Sequence, residues 1–193
     1  MNRLVLIMAI LLALVLVSGR LPASTDGTSS GTSGGISDRN AVGINFGQVT
    51  STSSTLEDYT RDQALNLGLE YIRYLKAWGF GLSYDYSAKN TGEGIVQVNQ
   101  TNHWLAADAR YRFNYENSVS PYLLLGYGPF FQVIETKIYN VSQTDTGLSW
   151  GLNFGGGVNL QVTGPLSLDL KLKFFRYSVV SGVEYLAGLQ YVF

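Results

Sequence analysis

The end of the chain, Val183-Glu-Tyr-Leu-Ala-Gly-Leu-Gln-Tyr-Val-Phe193, divides by parity. Val183, Tyr185, Ala187, Leu189, Tyr191 and Phe193 form one set. Gly182, Glu184, Leu186, Gly188, Gln190 and Val192 form the other, in which small and polar residues dominate. Strand side chains point alternately to opposite faces, so this is a strand with one apolar and one mixed face. At the edge of a soluble sheet such an aromatic stripe would template aggregation. In a closed membrane barrel the same stripe faces lipid, and the rest of the chain must then supply the other staves.

It does. Val42, Ile44 and Phe46 alternate with Gly43, Asn45 and Gly47, and Leu65, Leu67, Leu69 and Tyr71 with Asn66, Gly68 and Glu70. Trp78, Phe80, Leu82, Tyr84 and Tyr86 oppose Gly79, Gly81, Ser83, Asp85 and Ser87. Leu105, Ala107, Ala109, Tyr111 and Phe113 oppose Ala106, Asp108, Arg110 and Arg112. A fifth run sets Leu123, Leu125, Tyr127, Pro129 and Phe131 against Gly126, Gly128 and Gln132, although Tyr122 and Leu124 blur its contrast. In the sixth, Trp150, Leu152, Phe154, Val158, Leu160 and Val162 alternate with Ser, Gly, Asn and Gln, and in the seventh Leu166 to Phe174 alternate with Ser167, Asp169, Lys171 and Lys173. Most runs cover about 9 to 13 residues, whereas soluble strands average about 5–6 and tilted membrane-spanning strands need about 9–11. Eight such strands predict an all-β, eight-stranded antiparallel up-and-down transmembrane β-barrel. Aromatics near the run ends (Trp78, Tyr84, Tyr86, Tyr111, Phe113, Trp150) would form interfacial girdles.

The N-terminus points the same way. Asn2-Arg3 precedes Leu4 to Val17, an unbroken apolar stretch short of the roughly 20 residues that a spanning helix needs. With Ser18-Gly-Arg-Leu-Pro-Ala23 following, residues 1–23 read as a cleaved export signal peptide. Residues 24–39, rich in Ser, Gly and Thr, are expected to be a flexible linker, lacking the apolar side chains that would offset ordering entropy. Residues 40–193 form the barrel domain. The chain has no cysteine, which excludes acylation as a lipoprotein, disulfides and thiolate metal sites. A formal net charge of −1 offers no basic surface for nucleic acid. The 22 glycines, 13 tyrosines and 9 phenylalanines suit an aromatic-rich barrel.

Connector lengths alternate. Short ones fall at Tyr74 to Ala77, Asn114 to Ser120 and Thr163 to Pro165, and polar ones at Ser51 to Arg61, Ala88 to Gly94, Thr136 to Thr146 and, more briefly, Val179 to Ser181. Barrels of this kind keep tight turns on the periplasmic side and longer loops outside. Pro121-Tyr-Leu-Leu-Leu-Gly-Tyr-Gly-Pro129 and Gly188-Leu-Gln-Tyr-Val-Phe193 carry a resemblance to the small OmpA/OmpX-like outer-membrane β-barrel domain family, across roughly 40 to 193. The resemblance implies the fold, an outer-membrane location, and recognition of Leu189, Tyr191 and Phe193 by the barrel-assembly machinery. It implies no single activity, because fold and function separate in such families. An appended periplasmic domain after Phe193 is not expected.

The inward sets contain Glu70, Asp85, Asp108, Asp169 and Glu184 against Arg110, Arg112, Lys171 and Lys173. Enclosed charges must be paired or hydrated, so near balance predicts a salt-bridged network closing the lumen. The alternative is a narrow polar conduit for ions or small solutes, with the inward glycines leaving room. An eight-stranded barrel is too narrow for a porin-sized channel. The single histidine, His103 in Thr101-Asn-His-Trp-Leu105, shares the lipid-facing parity near the outer interface. A lipid A-modifying enzyme would need an activated hydroxyl beside it, and Leu105 and Thr101 make a poor set. Glu57, Asp58 and Asp62 match no metal motif. The expected role is structural or surface-interacting and non-enzymatic, without cofactor, in contact with outer-membrane lipid and lipopolysaccharide. An extracellular ligand of unspecified chemistry would bind at the outer loops.

Overall fold

The computed structural model describes residues 39–53, 63–91, 96–139, 141–178 and 180–193. The signal peptide and the linker up to 38 lie outside the described residues, as do Glu57, Asp58 and Asp62. Eight strands follow in order: β1 (Asn40–Ser53), β2 (Gln63–Leu75), β3 (Trp78–Thr91), β4 (Val96–Arg112), β5 (Val119–Ile138), β6 (Val141–Thr163), β7 (Leu166–Arg176) and β8 (Val180–Val192). Each pairs antiparallel with its sequence neighbours, and β1 pairs with β8 from Ala41↔Val192 to Ser53↔Val180, closing the barrel. Reciprocal backbone bonds between Asn40 and Phe193, 2.9 and 2.8 Å, extend that seam to the last residue. Closure satisfies the backbone of every strand within the barrel wall and leaves no sheet edge facing lipid.

Period two decides which side each residue takes. The outward set is apolar and exposed, from Phe46, Leu123 and Leu152 to Tyr185 and Leu189, while Asn45, Glu70, Asn153, Asp169 and Gln190 are buried inside. A soluble ligand-carrying barrel would show the reverse. Aromatic pairs band both ends of the exterior: Trp78 with Tyr111, Tyr111 with Phe113 and Tyr191 with Phe193 at the short-turn end, Tyr127 with Trp150 at the other.

Inward glycines serve curvature more than spare room. A Cβ on Gly47 would lie 1.8 Å from the Tyr185 carbonyl oxygen, and one on Gly128 1.9 Å from that of Leu105. Neighbouring strands therefore approach where only glycine fits, which lets a narrow wall bend. The space expected from the inward glycines is filled by adjacent backbone at Gly47, Gly81, Gly128 and Gly155, and by the side chains of Glu70, Tyr74 and Asp108 at Gly43, Gly79 and Gly126.

Connectors expected as loops on the outer side are partly strand. Thr136 to Thr146 is a continuation of the ladder, paired up to Ile138↔Val141, with Tyr139 at φ 53 in the turn. Likewise β4 starts at Val96 rather than near Leu105, and β3 runs to Thr91. Polar alternation hid these extensions: Ser142, Gln143, Thr144 and Thr146 read as loop by hydropathy, yet β-branched residues hold a strand when a partner supplies the hydrogen bonds. The result is strands of 17, 20 and 23 residues for β4, β5 and β6.

Candidate functional site

Two regions carry chemistry, the lumen and the projecting sheet. The lumen is stacked in four layers. At the outer end Trp104 and Ala106 of β4, Phe130 of β5, Phe175 of β7, Tyr177 and Val49 of β1 form a buried apolar cluster. Trp104 meets Tyr177 edge-on at 4.7 Å between centroids, and Phe130 stacks on Tyr177 at 4.0 Å. Of these the expected inward sets held only Ala106, and nothing local in the sequence marks the rest as a mutual plug.

Below lies a layer built on Lys173, whose Nζ reaches Asp85 at 2.5 Å and Glu184 at 2.7 Å. Asn66 Nδ2 donates to Glu184 Oε1 at 3.3 Å. Asp108 is within electrostatic reach of Lys173 and Arg110, and its Oδ1 has no hydrogen-bond partner. This layer therefore holds three acids and one base.

The third layer is balanced. Glu70 Oε2 accepts from Arg110 at 2.5 Å and from Lys171 at 2.6 Å, while its Oε1 accepts from Gln190 at 2.6 Å. Asp169 faces Lys171 at 2.9 Å and Arg110 at 3.6 Å, and the Tyr122 hydroxyl donates to its Oδ1 at 2.9 Å. Tyr122, which blurred the fifth run, is thus an inward member of the polar core. Two acids meet two bases drawn from β2, β4 and β7.

The inner end is closed by Ala41, Ile72, Tyr74 and Val192. Arg112 sits in this inner cap. Its guanidinium lies 3.8 Å over the Tyr74 ring and donates to the Lys76 carbonyl at 2.9 Å. The nine charged residues read from the inward sets thus form two ion groups, with Asp108 beside the upper one and Arg112 in the inner cap.

On the exterior, Leu189, Tyr191 and Phe193 point outward, each about half exposed. His103 also faces outward, its Nδ1 2.7 Å from the Tyr84 hydroxyl and its ring 5.3 Å from that of Tyr86. Among the described residues, no group of three His, Asp or Glu side chains is arranged to hold a metal ion.

The projecting sheet consists of the outer ends of β3 to β6. Pairing of β6 with β7 begins only at Leu152↔Arg176. Residues 141–151 are therefore bonded to β5 alone, and among the described residues no strand covers their other edge. At roughly 3.4 Å per residue this edge runs about 34 Å along the strand. Its hairpin is stapled by Glu135, which accepts from the Ser142 hydroxyl at 3.1 Å and meets Lys137 at 3.4 Å. The Ser142 hydrogen bond, aided by the Lys137 charge, holds the Glu135 carboxyl below the usual range.

The family model described as outer membrane protein beta-barrel domain matches residues 9–193. No curated protein matches the sequence. Among solved structures, Ail, the attachment invasion locus protein of Yersinia pestis, in complex with the heparin analogue sucrose octasulfate, is similar with a TM-score of 0.63 at 18% identity, over 82% of this chain and 100% of that chain. Neisserial surface protein A gives 0.62 at 18%, over 80% and 97%. The N-terminal β-barrel domain of Pseudomonas aeruginosa OprF gives 0.50 at 17%, over 81% and 99%.

Proposed function

The chain belongs to the outer membrane protein beta-barrel domain family, and from that premise we propose that it is a closed, non-catalytic barrel whose projecting sheet docks extended polypeptide at the cell surface. Its location is the bacterial outer membrane. The observation that carries the docking role is the uncovered edge of β6 over 141–151. An uncovered strand presents a row of unpaired backbone donors and acceptors, to which an extended segment can add as a further strand. The sheet carries Glu135 and Asp145 against Lys89 and Lys137, a balance of charge that favours backbone recognition over capture of a polyanion. In this respect the docking chemistry differs from what a sulfated sugar on Ail would call for.

The closed-lumen reading rests on the stacking of an apolar plug, two ion groups and an inner cap across one narrow bore. An ion crossing it would have to displace paired charges and force open both apolar clusters. The non-catalytic reading is supported at His103, whose Nδ1 is already engaged by a phenol. Leu189, Tyr191 and Phe193 serve the barrel-assembly machinery as its recognition stripe.

The docking reading is tested with outer-membrane vesicles carrying the chain, applied to surfaces coated with reduced, unfolded albumin as a source of extended polypeptide. Successive residues of an edge strand point their N–H groups alternately toward β5 and away. Of Gln143→Pro and Thr144→Pro, one therefore removes an edge donor while leaving the hairpin ladder intact. Retention of wild-type vesicles and its loss in that variant is expected. Equal retention, or none for the wild type, refutes the docking role.

A further inference from the structure

The short-turn rim carries cations that neither the lumen nor the projecting sheet uses. Arg73 is exposed on the outer face of β2, in the row Leu69, Tyr71, Arg73, Leu75. Its cross-strand partners are Asn40 of β1 and Phe80 of β3. Arg39, just before β1, is exposed, and its carbonyl accepts from the Tyr74 amide at 2.7 Å, which fixes it beside the end of β2. Lys76 is exposed in the β2–β3 turn with φ 56. Among the described residues the ion pairs involve other side chains and leave these three out. The remaining described turns at this end, 113–118 and 164–165, add one charged side chain, Glu116.

The surroundings are those of a headgroup boundary. The Tyr71 hydroxyl donates to Asn40 Oδ1 at 2.9 Å beside Arg73. Val42 and Leu69 lie exposed on the apolar side of that pair, and Trp78 and Phe80 flank it on β3. Trp and Tyr rings sit at headgroup depth in membrane proteins. A guanidinium among them, on the lipid side of the wall, reaches phosphate rather than acyl chain, and its planar fork matches two phosphate oxygens.

We propose that this corner binds an anionic phospholipid of the inner leaflet, its phosphodiester on Arg73 with Arg39 and Lys76 adjacent, and its acyl chains along Val42, Leu69 and Phe80. The short-turn end of such a barrel is periplasmic, so the leaflet that meets this rim is phospholipid. Three cations at neighbouring strand ends act together within a screening length of about 10 Å at 0.1 M salt. A zwitterionic headgroup would bring its own cation to a corner where, among the described residues, Arg39, Arg73 and Lys76 already gather positive charge. The site does not depend on the docking edge at the opposite end of the molecule.

The full chain, in micelles titrated with equimolar phosphatidylglycerol and phosphatidylcholine of matched acyl chains, is read by native mass spectrometry. A basic side chain near an anionic surface strengthens binding by roughly fivefold. Phosphatidylglycerol adducts should therefore exceed phosphatidylcholine adducts at least about fivefold. The triple variant Arg39→Gln/Arg73→Gln/Lys76→Gln should fall to parity, and Arg176→Gln at the other end should keep the preference. A wild type without preference overturns the proposal, as does a triple variant that retains it or an Arg176 variant that loses it. Unboiled gel migration checks folding, and if the triple variant fails to fold, the single exposed change Arg73→Gln is read by the same criterion.

Discussion

Replacing Glu70 by Gln preserves the shape of the third lumen layer and removes one of its two negative charges. Glu70 accepts from Arg110, Lys171 and Gln190 at 2.5, 2.6 and 2.6 Å. After the change Arg110 and Lys171 share Asp169 alone, at 3.6 and 2.9 Å. Hydrogen bonds to charged groups contribute about 1.5–3 kcal/mol each, and breaking a buried ion pair from one side costs about 3–5 kcal/mol. An amide oxygen still accepts one bond, so a loss of about 3–5 kcal/mol is expected. Asp108→Asn is the matched control. It removes a charge from the layer in which three acids share Lys173, where like charges repel and Oδ1 is unpartnered. That variant should be neutral or stabilising by about 1 kcal/mol. Urea unfolding in phospholipid vesicles, followed by tryptophan fluorescence and by the gel shift on boiling, measures both. If Glu70→Gln costs no more than Asp108→Asn, the lumen ions are screened by water, and the paired geometry does not hold the barrel together.

Further outcomes follow from the same layers. The wild-type chain in planar bilayers should give no steady conductance, and Trp104→Ala should give none either, because the Glu70 layer still blocks the bore beneath the plug. Conductance steps in either protein would revive the narrow-channel reading. Trp104→Ala should nevertheless cost about 3–5 kcal/mol through the cavity it leaves, read as a lower urea midpoint. Gly128→Val should prevent formation of the heat-modifiable band, since a Cβ there lies 1.9 Å from the Leu105 carbonyl oxygen. Glu135 has a lowered carboxyl pKa, so its staple is present above the ordinary carboxylate range and lost as pH falls through the lowered value. Amide exchange across 135–144 should quicken on acidification, and Ser142→Ala should weaken that dependence. Phe193→Asp should reduce insertion into the outer membrane of producing cells while leaving folding of the purified chain in detergent largely intact.

Strand number and the side each residue takes were legible along the chain because they are local. A period of two is a property of each backbone segment, and an apolar exterior repeats it eight times. Membership of the lumen followed from the same parity, as for Asn45, Asp85, Lys173 and Glu184. The vertical order inside the bore was not legible, because register between strands sets which inward residues share a height. Register alone brings Lys173 to Asp85 and Glu184 and sets Arg112 over the Tyr74 ring. It also gathers Trp104, Phe130, Phe175 and Tyr177 from three separate stretches of the sequence into one plug. The same holds outside. Thr136 to Thr146 is polar enough to read as loop, and it became strand because the two arms of the hairpin supply each other's hydrogen bonds across Ile138↔Val141. Hydropathy records which solvent a side chain prefers, whereas the free edge of β6 exists only because β7 ends lower than β6 begins, a fact about three-dimensional pairing.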